Sequence, residues 1–134
     1  MLIGSVAGLA CRGEEERARQ GEAAALVRAI NQLRDAPNEA KRPLHKALDQ
    51  LPCGSDDLCD LKRICYKAYL RHIRALDSAR ALRHALADGG IVAPAASAEA
   101  VQLADDAQRY LERARFLNRR CVRLQGQIER AYGL

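Results

Sequence analysis

From Leu58 onward, small and apolar positions recur in alternating steps of three and four: Leu58, Leu61, Cys65, Ala68, His72, Ala75, Ala79, Leu82 and Leu86, with one histidine among them. The stripe halts at Gly89-Gly90 and resumes after Ser97 as Leu103, Ala107, Tyr110, Ala114, Leu117, Cys121, Leu124, Ile128 and Ala131. A 3,4 repeat held this long is the seam of a coiled coil. It predicts two helices, over about 55–88 and 97–132, joined by a short linker through Pro94 and folded back as an antiparallel hairpin roughly 50 Å long. Ser55 is placed to cap the first arm, with Asp56 and Asp57 in its first turn, and Ser97 to cap the second. Glycine at 89 and 90 supplies the stop between them.

The amino-terminal third carries a shorter signal. Ala23, Leu26, Val27, Ile30 and Leu33 lie on one face of a helix predicted over 14–35, with Glu14 to Glu16 at its start and Pro37 at its end. A short helix is predicted over 43–51, opened by Pro43 and stopped by Pro52. The first long arm has more apolar surface than one seam uses, because Tyr66, Tyr69, Leu70, Ile73 and Leu76 fall partly outside the stripe. The first helix is expected to cover that second face, so the base becomes a three-helix bundle. Beyond about residue 77 the hairpin is expected to project as a two-helix arm. The fold class is all-α: Ala and Leu dominate the apolar content, and no run alternates with period two as a half-buried strand does.

Five cysteines change this picture, and three of them sit in CGSDDLCDLKRIC, residues 53 to 65. If the hairpin is symmetric about residue 93, facing positions sum to about 186, and Cys65 and Cys121 satisfy that sum while both lie on the inward seam. Closely packed helices with small neighbours can bring such a pair within the roughly 4.4–6.8 Å Cα separation of a disulfide. Cys59 and Cys65 cannot pair within one helix, being about 9 Å apart in rise and on different faces. A Cys53–Cys59 bridge would tie the incoming loop to the helix start. Four cysteines permit three connectivities; the expected one is Cys53–Cys59 with Cys65–Cys121. The competing reading keeps all four as reduced thiols in a helical core. No pair has the two-to-four-residue spacing usual for zinc ligands, and Cys65 and His72, seven apart, stand about 10 Å from each other along the helix. No metal and no cofactor is expected.

The fifth cysteine ends an uncharged stretch, MLIGSVAGLAC, after which Arg12 and Glu14 to Glu16 arrive together. Gly8-Leu9-Ala10-Cys11 resembles the lipobox of bacterial lipoprotein signals, although Leu9 stands one place later than the usual leucine and no basic segment precedes the apolar one. The apolar stretch is also short, and a start upstream of Met1 would account for that and for the missing basic segment, though not for the place of Leu9. The resemblance implies lipid on Cys11, a membrane association through that anchor and residence in a bacterial envelope. Arg12, where an inner-membrane retention signal has Asp, implies the outer membrane. Residues 1–11 are accordingly read as a signal-like segment and 12–134 as one helical domain.

Charge adds a candidate surface. The chain holds 18 Arg and 4 Lys against 17 acids, a net +5. Residues 62–84 carry seven bases and one acid, and residues 109–130 seven bases and two acids. The antiparallel fold sets these stretches side by side, so Arg71, Arg74, Arg113, Arg120 and Arg123 are the candidate partner-binding residues. An ordinary solvated helix surface is the alternative. Nucleic acid is disfavoured, because base stacking needs exposed aromatics and the few present are wanted for packing. His72 is expected on the seam opposite Ala114, half-buried, whereas His45 and His84 are expected to face solvent. No phosphate loop, H-E-x-x-H or G-x-S-x-G is present, and no catalytic residues are assigned. The expected role is that of a non-enzymatic, lipid-anchored envelope protein with a structural or adaptor function towards an unknown protein partner, as a monomer or homodimer. The alternative is a cytoplasmic helical protein that binds nucleic acid or a partner helix through its Arg-rich faces.

Overall fold

The computed structural model describes residues 7–87 and 94–134, with side chains for 12–87 and 97–134. Four helices follow in order: α1 (Ala7–Asp35), α2 (Lys41–Gln50), α3 (Asp56–Ala87) and α4 (Pro94–Tyr132), with a single 3₁₀ turn at Asn38–Ala40 leading into α2. The described residues contain no strand. The Gly89-Gly90 stop and most of the linker between the long helices lie outside them.

The hairpin of α3 and α4 is the backbone of the molecule, and its register is the one the seam implies. Cys65 and Cys121 are bonded across it with their Cα atoms 4.8 Å apart. Both are fully buried, alongside Leu58, Leu61 and Ile64 of α3 and Ile128 of α4. Alanine at neighbouring seam positions, Ala68 and Ala114, lets the two helices pack closely enough for these Cα atoms to meet. Cys53 and Cys59 form the second disulfide, Cα to Cα 5.1 Å, between the loop after α2 and the first turn of α3.

α1 lays Ala23, Leu26, Val27, Ile30 and Leu33 into the base of the hairpin, where all five are buried. Its foot is tied down twice by polar contacts. Gln20 donates to the carbonyl of Tyr132, and the Glu22 carboxylate accepts from the amide of Gly54. A Cβ at position 54 would stand 3.0 Å from that carboxylate, so a larger residue there would push the Glu22 side chain away from its bond to the amide. α1 starts at Ala7, one and a half to two turns before the expected position, because Ala-Gly-Leu-Ala-Cys continues the helical phase with residues that mostly favour it. Glu14 to Glu16 therefore sit in its third turn, and its first turn holds no acid.

The second face of α3 is covered differently from expectation. It is α2, and not α1, that meets most of it: His45 stacks on Tyr66 with ring centroids 4.0 Å apart, and Arg42 and Pro43 stand over Ile73, Leu76 and Asp77. The reason is a tight corner. Lys41, at the start of α2, is buried and its Nζ donates to the carbonyls of Leu33 (2.8 Å) and Arg34 (3.2 Å). These are among the last carbonyls of α1, which have no partner within their own helix. The bond turns the chain back so that α2 lies on α3. His45 is thus not solvent-facing. It is 7 % exposed, and its Nε2 donates to the Tyr66 carbonyl at 2.9 Å. Lys41, His45 and Leu48, spaced 4 and 3 apart, are the buried stripe of α2, and two polar members hide it from a hydrophobicity reading.

Above this ledge the hairpin stands alone. Among the described residues, α3 buries nothing beyond Ala75 and α4 nothing before Ala114. Leu86 and Val101 are 56 % and 69 % exposed. The expected two-helix arm therefore begins where α2 ends its cover, at the Arg42–Asp77 ion pair of 2.8 Å.

Candidate functional site

On one side of the hairpin α3 and α4 alone line an open groove of about 360 Å³, to which α1 and α2 contribute nothing. Four cations from α3 border it, Arg63, Lys67, Arg71 and Arg74, and two from α4, Arg113 and Arg120. Steps of 4, 4 and 3 place the α3 set along one side of its helix over roughly 16 Å, and the α4 pair is seven apart, two turns. Ile64 and Leu117, both buried, close the bottom, and half-buried Leu70 lies among the cations.

Four of the five sequence candidates, Arg71, Arg74, Arg113 and Arg120, are brought together here. Arg123 is exposed and does not line the groove. Arg63, Lys67 and the apolar floor were not among the candidates. Their signal was available in the chain, since 63, 67, 71 and 74 keep one helical side, but it reads as a site only once α4 is known to lie beside them. The cations are poorly neutralised. Arg63 pairs with Asp60 at 2.6 Å, and among the described residues none of the other five has a carboxylate within ion-pair distance. Instead, guanidiniums cover aromatic faces: Arg71 and Arg74 stand 5.8 and 6.0 Å from the Tyr110 ring centre, and Arg113 stands 5.3 Å from that of Phe116. Each guanidinium lies against one face of its ring, and Phe116 remains 44 % exposed.

His72 occupies the seam as expected, beside Ala114, where a small cavity of about 110 Å³ is also lined by Ala68, Tyr69, Leu111, Arg115 and Asn118. Its Nε2 is buried and has no hydrogen-bond partner among the described residues. Burial, reinforced by the Lys41 charge, pushes its pKa below the ordinary 6.5. No carboxylate or nucleophile lines that cavity. His84 is exposed, as expected.

At the base, Tyr132 and Asp57 link the two ends of the hairpin. The Tyr132 hydroxyl donates to Asp57 at 3.1 Å, and Asp57 also accepts from Ser55 and from the amide of Leu58. The bond from Ser55, more than the opposing burial, holds the Asp57 carboxyl below its usual range. Ser55 thus opens α3 through its carbonyl, which accepts from Cys59, while its hydroxyl serves Asp57.

Among the described residues no group of three or more His, Cys, Asp or Glu side chains could hold a metal ion, and no helix is long and apolar enough to cross a membrane. The side chain of Cys11, the candidate lipid acceptor, lies outside the described ones; its backbone belongs to α1. No family model matches the chain, and no curated protein or solved structure is similar to it.

Proposed function

We propose that this protein is a non-enzymatic, lipid-anchored component of a bacterial envelope, with a structural or adaptor role in which its stapled hairpin holds a basic surface towards a protein partner. The observation that carries the reading is the pair of disulfides. One joins two helices 56 residues apart through the centre of the core, and the other clamps the start of α3. Disulfides of this kind persist in oxidising compartments and are rare in a reducing cytosol. That supports the lipobox resemblance of Gly8-Leu9-Ala10-Cys11, and Arg12 after the cysteine supports the outer membrane. A binding role is supported by six cations around one groove, of which Arg63 alone has a carboxylate partner among the described residues.

The test is metabolic labelling with an alkyne fatty acid in cells that express the gene from its natural start, followed by membrane fractionation. Wild-type protein is expected to take up label and sediment with membranes, and Cys11→Ala to lose both. Unlabelled wild-type protein in the soluble cytoplasmic fraction would contradict the proposal.

A further inference from the structure

The groove has a second property besides charge, and the two together specify its partner. We infer that it docks an acidic, amphipathic polypeptide segment, whose carboxylates meet the cations on the two lips while an apolar edge rests on Leu70. This deepens the adaptor reading and rests on it. Charge complementarity is the first ground: six cations surround the groove, and one of them alone has a carboxylate partner among the described residues. The α3 row is the second. Its cations rise roughly 6 Å apart, close to the pitch at which a helix repeats a side-chain position, so glutamates every three or four residues can match it. The third is the floor. Half-buried Leu70 presents hydrocarbon among the cations, above the buried Ile64 and Leu117, a spot that a pure polyanion leaves unused and an amphipathic segment covers.

Other anionic partners fit less well. Single-stranded nucleic acid gains affinity by stacking on open aromatic faces, whereas no aromatic side chain lines this groove. A membrane surface is broad, whereas the apolar part of this site lies at the bottom of a concavity between two helices.

The experiment uses the full-length oxidised protein and a fluorescent synthetic helical peptide, with glutamates at three- and four-residue spacing beside a leucine stripe, read by anisotropy. Parallel probes are the same peptide with its leucines changed to serine, single-stranded DNA, a sulfated polysaccharide and phosphatidylglycerol vesicles. The expected result is saturable binding of the leucine-bearing peptide, tighter than that of any other probe. Binding should be weakened about tenfold or more by the double variant Arg71→Glu/Arg120→Glu. Leu70→Ser should weaken that peptide several-fold while leaving its serine version unaffected. Lys46→Glu, on exposed α2 surface away from the groove, should leave binding unchanged. Circular dichroism and non-reducing electrophoresis establish that each variant is folded and stapled. No binding at low salt, equal binding by the charge-reversed variant, or tighter binding of DNA, polysaccharide or vesicles would overturn the inference. Fatty-acid labelling at Cys11 is read separately on the same chain, so failure of the groove and failure of the anchor are distinguishable.

Discussion

His72 is where a single side chain sets a measurable property. Its ring fills the space that Ala68 and Ala114 leave on the seam, and its Nε2 is buried without a partner. The charged groups around it are of one sign, Lys41 from the start of α2 and Arg115 from α4, with the neutral Tyr69 and Asn118 beside them. Protonating His72 therefore costs more in the folded chain than in the unfolded one. Its pKa is lowered on folding, so the unfolded chain binds more protons as the pH falls. The stability is complete above about pH 6.5 and declines as the pH falls through that value towards the folded pKa. Denaturant midpoints measured between about pH 7 and about pH 5 should fall for the wild type and fall less for His72→Gln. Asp57, whose pKa is also lowered, loses its contribution only in more acid solution, below its ordinary 3.8. The position of His72 was legible in the chain because it interrupts a 3,4 stripe of small residues. That of His45 was not: its burial depends on the Lys41 corner, a side-chain bond to carbonyls that no periodicity encodes.

At the scale of elements, the two disulfides do different work. Cys65–Cys121 closes a long loop that spans both hairpin arms, while Cys53–Cys59 closes a short one. The chain-entropy account assigns about 4 kcal/mol to the first and about 2 kcal/mol to the second. Urea denaturation of Cys65→Ala/Cys121→Ala should accordingly show the larger loss of stability, increased further by the cavity left among fully buried neighbours. Cys53→Ala/Cys59→Ala should show the smaller loss, with its effect concentrated at the start of α3. Equal losses would mean that the long-range staple adds no more than the short one, because its seam already fixes the hairpin. That seam is the most legible part of the fold. The 186 register and the inward facing of both cysteines are independent readings of one geometry, and Gly89-Gly90 marks the turn region between the arms. The beginning of α1 and the cover of α3 by α2 were less legible, since each depends on how neighbouring segments share one apolar surface. Gln125 is a comparable case. It is buried in α4 because it donates to Asn31 and Glu129 and accepts from Arg34, partners 91 to 94 residues away in two of the three bonds.

For the whole molecule, the same long hairpin creates three surfaces. One side at the base is covered by α1 and α2; the arm beyond residue 77 has only its own thin seam; and on the groove side Arg63 alone of the cations has a carboxylate partner among the described residues. A chain that holds its shape with two covalent bonds can leave such surfaces uncovered, because less of its stability has to come from burial. The basic stretches were visible in the sequence, but their joining into one groove, and the exclusion of Arg123 from it, follows from the rotation of α4 against α3, which charge counts do not contain. The stapled hairpin and its place in the envelope both require the cysteines to be oxidised in the living cell. The most direct measurement is non-reducing mass mapping of protein taken from its native host with free thiols blocked at lysis. Trypsin leaves Cys53 and Cys59 together in the peptide 47–62, so a second cleavage at the aspartates between them is needed to resolve that bridge. The predicted result is a Cys53–Cys59 bridge and a peptide pair joined through Cys65 and Cys121, with no blocking group on any of the four. Four blocked thiols would contradict the stapled hairpin and, with it, the envelope protein proposed from it.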